Sequence, residues 1–165
     1  MTELLTEPTK EPQHVKPEPV FTESGDNAAA AQDAGRVPLT DLARQLLEGA
    51  NQAHLATVMP NGAPHSVPLW VGLEGNDLVF LTDPSSRKVG NIEHDQRVAV
   101  SVTDRDQPFT MAQIRGRVIR RIEGEEAWTM IDRISRKYVG RPYPREQDRV
   151  VFLVRPEHVQ SAGYA

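Results

Sequence analysis

The 165-residue chain contains no cysteine and only 5% aromatic residues. Without cysteine it can form no disulfide framework, no thiolate nucleophile and no Cys-based zinc site. No hydrophobic stretch approaches the roughly 20 residues that a membrane-spanning helix needs. The first residues also lack the cationic start and long apolar core of a secretory signal. These absences predict a cytoplasmic protein that does not enter a membrane.

The motifs of several common enzyme classes are missing too. The sequence has no Gly-x-Gly-x-x-Gly, no Gly-Lys-Ser/Thr loop, no His-Glu-x-x-His and no Gly-x-Ser-x-Gly. Because no two of the five histidines stand at metal-ligand spacing, we expect no metal site. The net charge of residues 36–165 is only +1, so we expect no nucleic-acid partner. The five histidines are at positions 14, 54, 65, 94 and 158.

Residues 1–35 differ in composition from the rest of the chain. Prolines at positions 8, 12, 17 and 19 lie among glutamates and are followed by a run of four alanines, and the segment has a net charge of −5. With few large apolar groups, it cannot bury enough surface to offset the entropy lost on ordering. We predict a disordered tail, with a docking segment as the alternative, and a folded domain over residues 36–165.

The folded part shows about six strand patterns and three short helical ones. The strands are joined by tight turns, of which Asn61-Gly62 is the strongest hairpin signal. Because Pro68 cannot donate to a ladder, its strand is expected to lie at an edge or to contain a bulge. This order predicts a mainly β protein, an antiparallel barrel with a few short helices. The predicted strands cover residues 53–59, 65–71, 78–82, 98–102, 109–121 and 150–154, and a further short one covers 158–161.

The stretch from Thr82 to Asn91 combines features that favour an anion. A strand ends there, Asp83-Pro84 turns the chain, and Ser85 or Ser86 can cap the helix that follows. Free backbone N–H groups at the helix start would then meet two adjacent cations, Arg87 and Lys88. We interpret the stretch as a turn that holds a phosphate or another compact anion. The alternative is an ordinary capped surface helix with a solvated Arg-Lys pair.

Four segments resemble one family. The chain is similar to the pyridoxamine 5′-phosphate oxidase-like superfamily of split β-barrels, and more narrowly to its deazaflavin (coenzyme F420)-dependent reductases. The resemblance covers roughly Leu39 to Val159, and the Thr-x-x-x-Ser-Arg-Lys turn is its most specific element. The segments are Leu55-Ala56-Thr57-Val58, Asn61-Gly62-Ala63-Pro64-His65, Leu81-Thr82-x-x-x-Ser86-Arg87-Lys88-x-x-Asn91 and Ile114-Arg115-Gly116-Arg117-Val118.

The resemblance implies where a cofactor binds. The turn would hold the cofactor phosphate, and Thr82 and the strand from His65 to Pro68 would lie along the isoalloxazine-type ring. A homodimer is implied, with the cofactor groove between its subunits. The residues implied to bind the cofactor are His65, Ser66, Val67, Pro68, Thr82, Ser86, Arg87, Lys88 and Asn91.

The resemblance also implies a reaction, the transfer of hydride between coenzyme F420 and a small organic acceptor such as an enone, a quinone or a tetrapyrrole. Pyridoxamine phosphate oxidase activity is disfavoured: Met111 takes the place of a flavin-contacting glutamine, and the oxidases' C-terminal Trp and Arg-x-His elements are missing after Val150. The alternatives are an FMN-dependent oxidoreductase on the same fold and a non-catalytic flavin- or deazaflavin-binding protein. No proton donor is assigned, and His65 and Tyr143 are the candidates.

Overall fold

The computed structural model describes residues 37–163. The predicted tail over residues 1–35 lies outside this range and stays a prediction. The helices are α1 (Asp41–Glu48), α2 (Arg87–His94) and α3 (Gly124–Val139). The strands are β1 (Ala53–Val58), β2 (Pro64–Leu69), β3 (Val71–Glu74), β4 (Asp77–Thr82), β5 (Arg97–Thr103), β6 (Met111–Ile122) and β7 (Val150–Ala162).

The strands form one antiparallel sheet in the order β2-β1-β5-β6-β7-β4-β3. Its two edge strands, β2 and β3, are consecutive in the chain and are separated only by Trp70. Because one residue leads from one edge of the sheet to the other, the sheet must curl until its edges approach each other. The predicted mainly β, antiparallel split barrel is confirmed, as is the edge position of the strand that contains Pro68.

Two predicted strand boundaries were wrong, and residues 37–163 form seven strands rather than about six. The segment predicted as one strand over residues 65–71 is β2 and β3, because the chain changes strand partner at Trp70. The last strand runs unbroken through Pro156, which lies opposite Gly116 where the β6–β7 register shifts. A Cβ at Gly116 would lie 2.2 Å from the carbonyl oxygen of Arg155, so this close approach requires glycine.

The core lies inside the curl and is closed by helices. Its fully buried side chains include Leu46 of α1, Ile92 of α2 and the stacked pair Phe80 and Phe152, whose ring centroids are 5.5 Å apart. A second apolar cluster lies between α3 and the outer side of β4 and β7. The partly buried tryptophans at positions 70 and 128 pack against it.

Candidate cofactor site

The turn between β4 and α2 is held by the carboxylate of Asp83. One oxygen, Oδ1, accepts hydrogen bonds from the backbone N–H and the hydroxyl of Ser85, at 2.7 and 2.6 Å. Of the two serines predicted as possible caps, Ser86 occupies the N-cap position of α2. Its side chain makes no capping hydrogen bond. The N–H groups of Arg87 and Lys88, in the first turn, have no acceptor within the helix. Two donors and the positive end of α2 therefore point out of this turn.

A cluster of hydroxyls lies beside Lys88. Its Nζ donates to Thr82 Oγ1 at 2.7 Å, and Thr82 Oγ1 lies 3.0 Å from Ser86 Oγ. Burial lowers the pKa of Lys88 below its usual value; the cation of Arg149 adds to this shift, and the carboxylate of Asp83 opposes it. The structure thus brings together three of the predicted site residues, Thr82, Ser86 and Lys88.

Two arginines complete the positive surface of the turn. Arg87 is exposed, and within residues 37–163 its side chain makes no hydrogen bond or ion pair. Arg149 lies next to the turn, because Val150 pairs with Thr82 across β4 and β7. The sequence interpretation did not assign Arg149 to the site. Its Nη1 is 3.7 Å from Asp83 Oδ2, and its side chain is only 15% exposed. The only sequence signal was a basic residue before a predicted strand; the strand pairing determines its place.

Asn91 links the turn to the other predicted segment. It is buried, and its Nδ2 donates to Thr57 Oγ1 of β1 at 2.9 Å. The Thr57 hydroxyl also bonds the backbone oxygen of His65 in β2, at 3.4 Å. Thr57 therefore joins α2 to the edge strand, although sequence reasoning gave it no role. The amide of Asn91 is engaged within the protein.

The strand from His65 to Pro68 is the free edge next to this link. Since β2 pairs with β1 alone, every second backbone group along it faces away from the sheet. The side chains of Ser66 and Pro68 are exposed, and those of His65 and Val67 are half-buried on the Thr57 side. Nδ1 of His65 is buried and has no hydrogen-bond partner within the described part of the chain. The edge thus offers backbone groups that no other described strand pairs with.

An aromatic cluster is linked to the turn through Arg149. Trp70 stacks on Tyr138 with ring centroids 5.0 Å apart, and Tyr143 packs edge-on against Trp70 at 6.2 Å. The hydroxyl of Tyr143, a candidate proton donor, accepts from Nε of Arg149 at 3.2 Å. A cleft of about 480 Å³ opens beside Trp70 and Tyr138, and none of the nine predicted cofactor residues lines it.

Across residues 37–163, no three histidine or acidic side chains are grouped so that they could hold a metal ion. Within the same range, no helix has the length and apolarity to cross a membrane. The chemistry of the turn is that of an anion site: three cations, three hydroxyls and the start of a helix, next to a free strand edge.

The comparisons with known proteins agree with this geometry. The sequence model described as pyridoxamine 5′-phosphate oxidase matches residues 39–163, which is most of the chain and nearly all of its described part. The chain belongs to the pyridoxamine 5′-phosphate oxidase-like superfamily. No curated protein matches the sequence.

Solved structures of this superfamily's fold are similar to the chain over most of their length. An F420 reductase is 30% identical, with a TM-score of 0.63, and the match covers 71% of this chain and 94% of the reductase. The conserved hypothetical protein Rv2991 from Mycobacterium tuberculosis is 23% identical, with a TM-score of 0.63 and 78% and 86% coverage. General Stress Protein 26 from Bacillus anthracis is 20% identical, with a TM-score of 0.56 and 71% and 88% coverage. The last two support the fold alone.

The family match and the F420 reductase structure together indicate the general class of this protein. The fold is that of flavin-binding proteins of the pyridoxamine 5′-phosphate oxidase type, and the superfamily includes oxidoreductases, among them an F420 reductase.

Proposed function

We propose that this protein is a cytoplasmic coenzyme F420-dependent oxidoreductase that transfers hydride between the reduced deazaflavin and a small organic acceptor. The observation that carries the proposal is the anion site at the start of α2, formed by Arg87, Lys88 and Arg149 beside the free edge of β2. The chain's 30% identity to an F420 reductase, over most of both chains, supports the deazaflavin branch of the superfamily.

The residues present fit such a cofactor. Lys88, the first-turn N–H groups and the hydroxyls of Thr82 and Ser86 would hold its phosphate, because charge-assisted bonds from several donors are the usual means of fixing this group. The edge strand from His65 to Pro68 would hold the ring, with its outward-facing backbone groups available to polar ring atoms. When bound, F420 supplies hydride chemistry, because it has carbon where a flavin has its reactive central-ring nitrogen.

The protein's own part is positioning and exclusion of water. The contact from Lys88 to Thr82 holds the turn together, and the contact from Asn91 to Thr57 ties α2 to β1, the neighbour of the edge strand. Such preorganisation lowers the entropy cost of holding the acceptor against the ring. His65 and Tyr143 both stay candidates for moving a proton, because the Tyr143 hydroxyl accepts a hydrogen bond from Arg149 and keeps its own proton to donate.

We further propose that the working form is a homodimer with the cofactor groove between subunits. One row of small side chains crosses the outer face of β2, β1 and β5: Ser66 lies opposite Ala56, and Ala56 lies opposite Ala99. None of the three helices packs on this face, which continues directly to the free edge of β2. A second copy would cover the face and close one side of the groove.

The direct test is titration of the purified protein with coenzyme F420 and with FMN, followed by fluorescence. In Lys88→Met the affinity for F420 should fall about tenfold or more, because a charge-assisted phosphate bond contributes about 1.5–3 kcal/mol. Arg133→Met is the matched control, since it removes an exposed cation on α3 that pairs with Glu74. Its affinity should match that of the unsubstituted protein.

The alternatives give different results in the same experiment. Tighter binding of FMN than of F420 would replace the proposal with an FMN-dependent oxidoreductase on the same fold. Binding of F420 without turnover of a simple enone by the reduced cofactor would favour a non-catalytic binding protein. Binding of neither cofactor would contradict the proposal.

A further inference from the structure

A carboxylate lies among the cations of the proposed phosphate site. Asp83 contacts Arg149 through Oδ2 at 3.7 Å while Oδ1 accepts from Ser85. Hydrogen bonds from the side chain and backbone of Ser85 hold the pKa of the Asp83 carboxyl below its usual value, and the charges of Arg149 and Lys88 act in the same direction. The carboxylate is therefore ionised at neutral pH, and its position is fixed by the turn.

The carboxylate changes the charge that the site can accept. The Asp83 carboxylate offsets part of the positive charge of Arg149 and Lys88, so the net charge that the turn offers a ligand is lower than its three cations alone would give. A terminal phosphate monoester carries a charge of about −1.5 to −2 at pH 7. A phosphodiester carries one negative charge. The second charge of a monoester is the part of the ligand that Asp83 repels.

We propose that Asp83 is a specificity-determining residue that favours a singly charged phosphodiester, as in F420, over a doubly charged phosphate monoester, as in FMN. The inference rests on the proposed function, since it assumes that the turn holds the cofactor phosphate. Its basis is a fixed negative charge within the ligand-binding turn, a repulsive element of the kind that separates similar ligands.

The chain offers a charge-only variant. In Asp83→Asn the side-chain oxygen can still accept from the N–H and hydroxyl of Ser85, so the turn keeps its geometry while the charge is removed. Asp83→Ser, which also retains an oxygen acceptor, is a second neutral variant. Asp41→Asn is the matched control, because Asp41 is an exposed aspartate in the first turn of α1, which packs on β3, β5, β6 and β7.

The experiment measures the dissociation constants of F420 and FMN for the unsubstituted protein and the three variants, in one buffer at one salt concentration. Asp83→Asn and Asp83→Ser should each tighten FMN binding about fivefold to tenfold more than F420 binding. Asp41→Asn should leave the ratio of the two constants unchanged. Unchanged thermal midpoints would show that the turn is intact in the variants.

The outcomes separate this inference from the proposed function. An equal change for both ligands, or no change in either neutral variant, would overturn the role of Asp83 even if F420 binds tightly. If the unsubstituted protein prefers FMN, the proposed function fails, yet a ratio that still moves toward FMN in Asp83→Asn supports the role of Asp83. If neither ligand binds to any of the four proteins, both proposals are wrong.

Discussion

The hydrogen bond between Asn91 and Thr57 joins two buried polar side chains. Both are nearly inaccessible to solvent, and their bond of 2.9 Å connects α2 to β1. A buried polar group that loses its partner costs about 1–3 kcal/mol. The pair therefore determines how the phosphate turn sits on the barrel, and its effect should be visible in stability as well as in binding.

A double-mutant cycle measures this link. We expect Asn91→Ala to lower the free energy of unfolding by about 1–3 kcal/mol, because the Thr57 hydroxyl loses its buried donor. With Thr57 already changed to Val, the same substitution should cost clearly less, since no buried hydroxyl is then left unpaired. Urea unfolding of the four proteins gives the energies. Additive losses would contradict the coupling.

At this scale the sequence reveals donors but not their partners. The cations and hydroxyls of the turn could be predicted, because they are adjacent in the chain and follow a strand. The engagement of Asn91 by Thr57 and of Asp83 by Arg149 could not be predicted. Each contact joins residues that are far apart in the sequence, and it exists only because of the strand register.

At the scale of the elements, the carboxylate of Asp95, between α2 and β5, makes the stability of the fold depend on pH. Asp95, the C-cap residue of α2, accepts from both the backbone N–H and the guanidinium of Arg97, at 3.0 Å each. These bonds, the side-chain bond first, lower the pKa of Asp95 to about 2. The unfolded chain has the ordinary aspartate value, so the folded state gains stability from the ionised form.

The direction of the pH dependence follows from this shift. The stabilisation by Asp95 is complete above about pH 4, the ordinary aspartate pKa, and is lost as the pH falls toward 2. We expect Asp95→Asn to be less stable than the unsubstituted protein at pH 7 and the difference to vanish near pH 2. Urea unfolding across this range tests the prediction. A difference that stays constant with pH would contradict it.

The hydrophobic periodicity and the turn residues predicted which segments are helices and which are strands. They did not predict two of the strand boundaries. Alternating apolar residues and the Asn61-Gly62 turn indicate the β1–β2 hairpin, and Gly62 has the positive φ of 83° that the turn requires. Nothing local marks Trp70 as the point where the chain changes sheet edge. Pro156 would normally end a strand, but it lies at a register shift and is tolerated there.

For the molecule as a whole, the strand order explains both why the sheet closes into a barrel and why one outer face lies beside an edge strand. One residue joins the two edge strands, so the sheet closes on a core filled from α1 and α2. The outer face of β2, β1 and β5 keeps a row of small side chains, and it adjoins the edge to which we assign the cofactor ring. The proposed site is therefore open on the side where the dimer would form.

The dimer can be tested by a charge at the centre of this row. Ala56 is half-buried between Ser66 and Ala99, so in Ala56→Arg a guanidinium would be desolvated on association without a fixed partner. We expect this variant to sediment as a monomer and to bind F420 at least tenfold more weakly.

Thr129→Arg, at an exposed position on α3, is the matched control and should remain a dimer with unchanged affinity. If Ala56→Arg sediments as a dimer, the small-residue face is not the interface. If it becomes a monomer that binds F420 normally, the groove belongs to one subunit alone.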